Sequence, residues 1–395
     1  MARLKEEIFL VAPLRTPIGK FGGGLSSLTA AQLGTESARA TIARSGIDPE
    51  AIDEVIFGNA RQAGVGPNVA RQIAIKSGLR HEVPAYTVNQ ACGSGLRAIM
   101  NAADQIRLGQ ASIVLAGGTE SMSNTPYLLM RARWGMRMGD GEIVDGMYRD
   151  GFMCPLADEM MGATAENLAE QYRISRREQD EYAVETQQRA KMAYDQDRFR
   201  EEIVPISVDG KKPVVIDRDE HPRFDTDLGS LAKLPPVFRT NGTVHAGNSS
   251  GVTDGASSML VAGRAAVDAH RLQPMARIIG YAQAGVDPKI MGIGPVPATK
   301  KLLDETRMRL DDIDLIELNE AFAAQVLACD RELHFDRDKL NVNGGAIALG
   351  HPIGCTGARI TTTLLHALRS RDRKIGLATL CISGGMGLSM LVERV

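Results

Sequence analysis

The stretch Ala51-Ile52-Asp53-Glu54-Val55-Ile56-Phe57 returns as Asp312-Ile313-Asp314-Leu315-Ile316-Glu317-Leu318, and this recurrence decides the fold. Each copy is a short apolar run introduced by an aspartate, the pattern of a buried strand. Further along, Val88-Asn89 recurs as Val342-Asn343, and Gly93-Ser94-Gly95-Leu96-Arg97 as Cys355-Thr356-Gly357-Ala358-Arg359. Ile113-Val114-Leu115-Ala116-Gly117-Gly118 matches Leu377-Ala378-Thr379-Leu380 running on to Gly384-Gly385. The offsets are 261 (Asp53 to Asp314), 254 (Asn89 to Asn343), 262 (Arg97 to Arg359) and 267 (Gly117 to Gly384). A near-constant offset of this size marks two similar halves related by duplication. The rise from 254 to 262 places an extra loop in the second half at residues 346–354, and His351 lies in it.

Around these anchors, Val/Ile/Leu runs alternate with Ala-rich amphipathic segments, which predicts an α/β protein with a mostly buried sheet. Residues 121–250 repeat nothing in either half. They read as an insertion with a helix-like stretch over 163–195, expected to lie over a site carried by the rigid scaffold. The expected organisation is therefore a first half over 1–120 completed by about 251–275, an inserted loop domain over 121–250, and a second half over 276–395.

Composition narrows the function. Forty-six basic against 48 acidic residues in 395 leave a net charge of -2, without the bias that would suggest nucleic acid or an anionic membrane as partner. Five cysteines with no C-x-x-C pair fit a reduced compartment and argue against a structural metal. With no signal peptide and no membrane-spanning run in view, the expected location is cytoplasmic. A Gly-rich dinucleotide loop with its downstream acid is not found after the first strand, which removes a dehydrogenase.

Two cysteines stand out. Cys92 in Asn-Gln-Ala-Cys-Gly-Ser-Gly and Cys381 in Leu-Cys-Ile-Ser-Gly-Gly-Met-Gly each follow a strand-like run and lead into glycines. Amides opening a helix favour a thiolate, and glycine lets a substrate approach the backbone. An isolated cysteine in such a setting is more often a small buried hydrophobe, so the case rests on the surrounding motifs.

Those motifs span nearly the whole chain: Arg15-Thr16-Pro17-Ile18-Gly19, Asn89 to Ala98, Gly117 to Ser123, Asn248 to Gly255, Asn319-Glu320-Ala321-Phe322, Gly344 to Arg359, and Cys381 to Gly387. Together they resemble the thiolase family. The resemblance implies a duplicated five-layer αβαβα core with an inserted loop domain, assembled as a homodimer or homotetramer and acting in fatty acid metabolism. It also implies acetyl-CoA, acyl-CoA and coenzyme A as substrates, with no cofactor.

Carried over residue by residue, the resemblance makes Cys92 the acyl-carrying nucleophile, His351 its base, and Cys381 the residue that moves the α-proton. Asn319 would hold a water for the enolate oxygen, although its position also suits a cap for a helix starting at Glu320. The amides of Cys92 and Ser383 would form a second oxyanion hole, Ser383 standing where glycine is expected. Arg223, Ser230, Ala246 and Ser250 would bind coenzyme A, and Met161, Met291 and Phe322 would shape a short acyl pocket. Met160 replaces a histidine found in some acetoacetyl-CoA-handling relatives. Two other readings stand beside this one: a decarboxylating condensing enzyme of the ketosynthase type, which needs no second cysteine, and a catalytically silent acyl-CoA or lipid binder, expected to lack Cys92, His351 or Cys381.

Overall fold

Asp53 and Asp314, the acids that introduce the repeated strands, do the same work in the computed structural model, which describes residues 6–210 and 213–395. The Asp53 carboxylate accepts from the N–H groups of Ser112 and Ile113, and the Asp314 carboxylate from those of Lys374 and Ile375. Each clamp sets the register of a parallel strand pair.

The strands of the first half are β1 (Ile8–Arg15), β2 (Glu54–Gly58), β3 (Ala85–Val88), β4 (Ile113–Ser121) and β5 (Thr253–Gly263). Those of the second are β6 (Pro274–Gly285), β7 (Leu315–Leu318), β8 (Ile375–Ile382) and β9 (Met386–Arg394). They form one path in the order β7-β8-β9-β6-β1-β5-β4-β2-β3. Outward from the antiparallel β1/β6 seam, each half runs first strand, last strand, then a parallel pair. The first half adds β3 in parallel, and the second has only the parallel bridge of Ile316 to Leu340 there. By this register Gly117 and Gly118 are strand residues paired with Ser258 and Ser257, while Gly384 and Gly385 make the turn between β8 and β9. The glycine pairs are therefore not equivalent, and the offset of 267 is a coincidence of composition.

Helices α1 (Ala30–Ser45) and α2 (Val69–Lys76) cover one outer face with Phe57, Ile73 and Leu260. In the middle, α3 (Ser94–Arg107) packs with the last helix, α8 (Ile353–Ser370), around Leu96, Ile99, Leu364, Leu380 and Met390. Residues Ile353 to Leu368 are all buried, as expected of a helix walled in on every side. The other outer face carries α6 (Pro295–Thr306) and α7 (Ala323–Leu333), and α4 (Met161–Gln171) and α5 (Arg176–Asp195) from the segment between β4 and β5 also pack there. The expected single helix over 163–195 is broken because Arg173 adopts φ 53° and Ser175 starts a new helix with a capping box to Glu178. The segment is tied down by Arg15, fully buried at the end of β1, which bonds Glu202 at 2.6 Å and Asp219 at 2.7 Å.

Glycine permits the central crossing. A Cβ on Gly357 would stand 2.2 Å from the Leu96 nitrogen, and one on Gly95 2.7 Å from that of Ala358. Gly357→Ala is accordingly expected to destabilise the protein by about 1–3 kcal/mol through overpacking. A denaturation midpoint unchanged from wild type would show that the helices separate freely.

Candidate active site

Because α3 and α8 touch near their first turns, the loops preceding them converge. Cys92 lies two residues before α3, after Ala91, whose φ of 45° is a left-handed conformation that costs a non-glycine residue about 1–3 kcal/mol. Ser94 holds the turn: its hydroxyl donates to the Ala91 carbonyl at 2.6 Å and accepts from the Gln90 N–H at 2.9 Å. The backbone N–H groups of Cys92 and Ser383 both approach the Cys92 sulfur. Ser383 is not among the residues of positive φ; those are its neighbours Gly384 and Gly385, so serine serves where glycine was expected.

Burial pushes the Cys92 thiol up, while the Arg61 guanidinium and the two amides pull it down. Desolvation outweighs these, so Cys92 rests as a thiol, and as a candidate nucleophile it needs a base. His351 is that candidate. It is 7% exposed, its backbone N–H donates to the Gly251 carbonyl, and its Nδ1 lies 2.5 Å from Thr356 Oγ1. Its Nε2 is buried without a partner. Burial, with the cationic Arg359 and Arg61 nearby, depresses its pKa to about 3 and keeps the imidazole neutral.

Cys381 is the penultimate residue of β8, fully buried, with its thiol pushed well up by burial and by the nearness of Cys92. The next side chain closes on the Cys92 turn: a Cβ on Gly93 would stand 2.6 Å from Ile382 Cδ1. Asn319 follows β7, and its N–H donates to the Thr379 carbonyl beside Cys381 in the sheet. Its side chain is 1% exposed, and neither the amide oxygen nor the nitrogen has a partner. The helix after it begins only at Ala323, so Asn319 caps nothing. A buried amide left open on both sides costs several kcal/mol unless something polar meets it.

Beside these groups opens a cleft of about 680 Å³. Met161, Arg223, Ala246, Ser250 and Phe322 line it, as the resemblance implies, together with Met160 and His221. Cys92 packs on the same apolar cluster of Ala60, Met122, Met147 and Ile353 as two of its walls, Phe152 and Val252. Two residues expected to contact substrate do not line it. Ser230 sits on the exposed short helix Leu228–Ala232, its N–H and hydroxyl engaged with Asp227. Met291 is buried in the outer core behind the site, in the apolar cluster that includes Phe322 and Cys381. The other cysteines face no cleft: burial pushes Cys329 and Cys355 up to about 12, and Cys154 is buried in the insertion.

The sequence reading missed the groups that hold these residues in place. Glu120, buried in β4, accepts from Asn59 Nδ2 and from the N–H groups of Ala60, Arg61 and Gly354, joining the end of β2 to the start of α8. Glu320 accepts from Tyr182, Thr186, Asn341 and the Ile347 N–H, which secures the His351 loop to the insertion. Acids inside otherwise apolar or glycine-rich motifs were the available signal.

Comparison with known proteins agrees with this geometry. The thiolase N-terminal domain model matches residues 8–265 and the thiolase C-terminal domain model residues 272–394. An acetyl-CoA acetyltransferase of Escherichia coli K12 is 51% identical over 388 residues, covering 98% of each chain. The crystal structure of the Bacillus anthracis acetyl-CoA acetyltransferase superposes with a TM-score of 0.97 at 46% identity, covering 99% of both chains. Human mitochondrial 3-ketoacyl-CoA thiolase in complex with CoA superposes with a TM-score of 0.96 at 44% identity, again over 99% of both. With both halves matched along their full length and two cysteines meeting at the central helix crossing, the chain belongs to the thiolase family.

Proposed function

We propose that this chain is an acetyl-CoA C-acetyltransferase, moving acyl groups between coenzyme A thioesters through Cys92. The observation that carries the reading is the gathering of a half-buried thiol flanked by two amides, a neutral imidazole with a free Nε2, a fully buried second thiol and an amide with no partner. Each supplies one requirement of a Claisen condensation.

In the condensing direction Cys92 gives its proton to His351 Nε2 and adds to the thioester carbonyl. The amides of Cys92 and Ser383 hold the oxyanion. Collapse expels the coenzyme A thiolate, which takes the Cys381 proton, leaving an acyl-enzyme with an imidazolium and a Cys381 thiolate. That thiolate removes the α-proton of a second acetyl-CoA. The enolate oxygen is held by the His351 Nε2–H and by a water on Asn319, and the carbanion attacks the acyl group. Cys92 leaves and recovers its proton from His351. Thiolytic cleavage is the reverse. In this reading Arg223, with Ala246 and Ser250, receives coenzyme A.

Incubation with acetoacetyl-CoA and coenzyme A should consume the 3-oxoacyl thioester, and no turnover would sink the reading. Cys381→Ala should still become acetylated on Cys92 from acetyl-CoA while losing at least about 100-fold in condensation, whereas Cys92→Ala should lose both. Intact-protein mass spectrometry separates the two. A silent binder predicts turnover by neither the wild type nor the variants, and a decarboxylating enzyme predicts that Cys92→Ala loses activity while Cys381→Ala loses none.

Short acyl chains are the favoured substrates, with one reservation in the residues themselves: Met160 presents a flexible apolar side chain to the cleft beside Met161. Met160→His should raise the kcat/KM preference for acetoacetyl-CoA over 3-oxohexanoyl-CoA by about 3–10-fold. Equal ratios for both enzymes would remove position 160 from specificity.

We further propose a cytoplasmic homodimer or homotetramer. Trp134, Met138 and Leu156 are 85%, 97% and 70% exposed on one segment, more apolar surface than a monomer usually leaves in water. Light scattering on the eluting protein should give two or four times 42.5 kDa; a monomer mass would refute it.

A further inference from the structure

His351 can serve as base only if its Nε2 carries a lone pair, so the proton of the neutral imidazole must rest on Nδ1. Nδ1 faces a single partner, the Thr356 hydroxyl at 2.5 Å. That hydroxyl lies 3.0 Å from the carbonyl of Pro352, one helical turn back, to which it donates. The hydroxyl has one hydrogen and two neighbours. If it gave that hydrogen to Nδ1, the imidazole proton would move to Nε2 and become a buried N–H with no acceptor, since Nε2 has no partner in the protein. If it gives the hydrogen to Pro352 and accepts from Nδ1–H, both hydrogens are used and only a lone pair is left open. The second arrangement costs less, because an orphaned buried donor forfeits a full hydrogen bond.

The duplicated half supports the same assignment. Ser94 occupies the position that Thr356 holds in the repeat, and its hydroxyl donates to a backbone carbonyl while accepting an N–H from the residue four before it. In one half this hydroxyl braces the turn of the nucleophile. In the other the extra loop has brought an imidazole N–H to the same acceptor.

We infer that Thr356 is the positioning residue of the site, a neutral hydroxyl that fixes His351 as the Nδ1–H tautomer and leaves Nε2 to take and return the Cys92 proton. The inference rests on the acyl-transfer reading above for what the lone pair does, and on the hydrogen bonds alone for where the proton is. A hydroxyl, unlike a carboxylate, adds no charge to favour an imidazolium at rest. Nδ1–H stays bound to Thr356 in both protonation states, so only the Nε2 proton cycles.

The test combines spectroscopy with kinetics. In protein labelled with nitrogen-15 at its seven histidines, and assigned by comparison with His351→Asn, the resting His351 signals should report Nδ1 protonated and Nε2 bare. Nε2 protonated in the resting enzyme would overturn the inference, whether or not acetoacetyl-CoA is turned over. Thr356→Val, nearly the same size without the hydroxyl, should lower kcat about 10–100-fold with KM within about twofold, and Thr356→Ser should recover to within about threefold of wild type. Equal kcat for the valine and serine variants would also overturn it. Should the valine variant fail to fold, the wild-type spectrum and the serine variant still decide the matter. Wild-type protein inert toward acetoacetyl-CoA would instead count against the acyl-transfer reading.

Discussion

The close crossing of α3 and α8 at Gly95 and Gly357 is the constraint on which the rest of the molecule depends. Backbone meets backbone there, which holds the first turns of two helices from different halves side by side. Everything chemically active sits just before those turns or at the ends of the strands that flank them. Moving the helices apart by the width of a methyl group would separate Cys92 from the loop of His351.

Electrostatics at this crossing is governed by burial more than by attraction. Cys92, Cys381, Glu120 and Glu320 are all pushed toward their neutral forms, and His351 is held neutral by burial and nearby cations. Fixed charges stand at the site, in Arg61 and Arg359, and around it: Arg15 with Glu202 and Asp219 anchors the insertion, and Lys20 and Arg223 line the cleft.

Duplication explains both what the two halves share and where they part. Asp53 and Asp314 still make identical bonds, and Ser94 and Thr356 still offer a hydroxyl at the first helical turn. The extra residues around 346–354 are the departure, and they carry His351. One half thus carries the Cys92 turn, and the other carries His351 and Cys381.

The sequence by itself carried the repeat, the family resemblance, and the motifs around Cys92, His351, Cys381 and Asn319, because strand periodicity, repeats and short motifs are local signals. It misjudged what depends on packing. Gly384-Gly385 looked equivalent to Gly117-Gly118 until strand register separated them, and Ser230 and Met291 stand outside the lining of the cleft that Arg223 and Phe322 border. Only the tertiary structure shows the surroundings that push the thiols and the imidazole toward neutrality, the open hydrogen-bonding capacity of Asn319, and the bonds made by Glu120, Glu320 and Thr356. The physical reason is common to all of them: desolvation and hydrogen-bond satisfaction are set by neighbours that lie up to hundreds of residues away along the chain, as Gly354 does from Glu120.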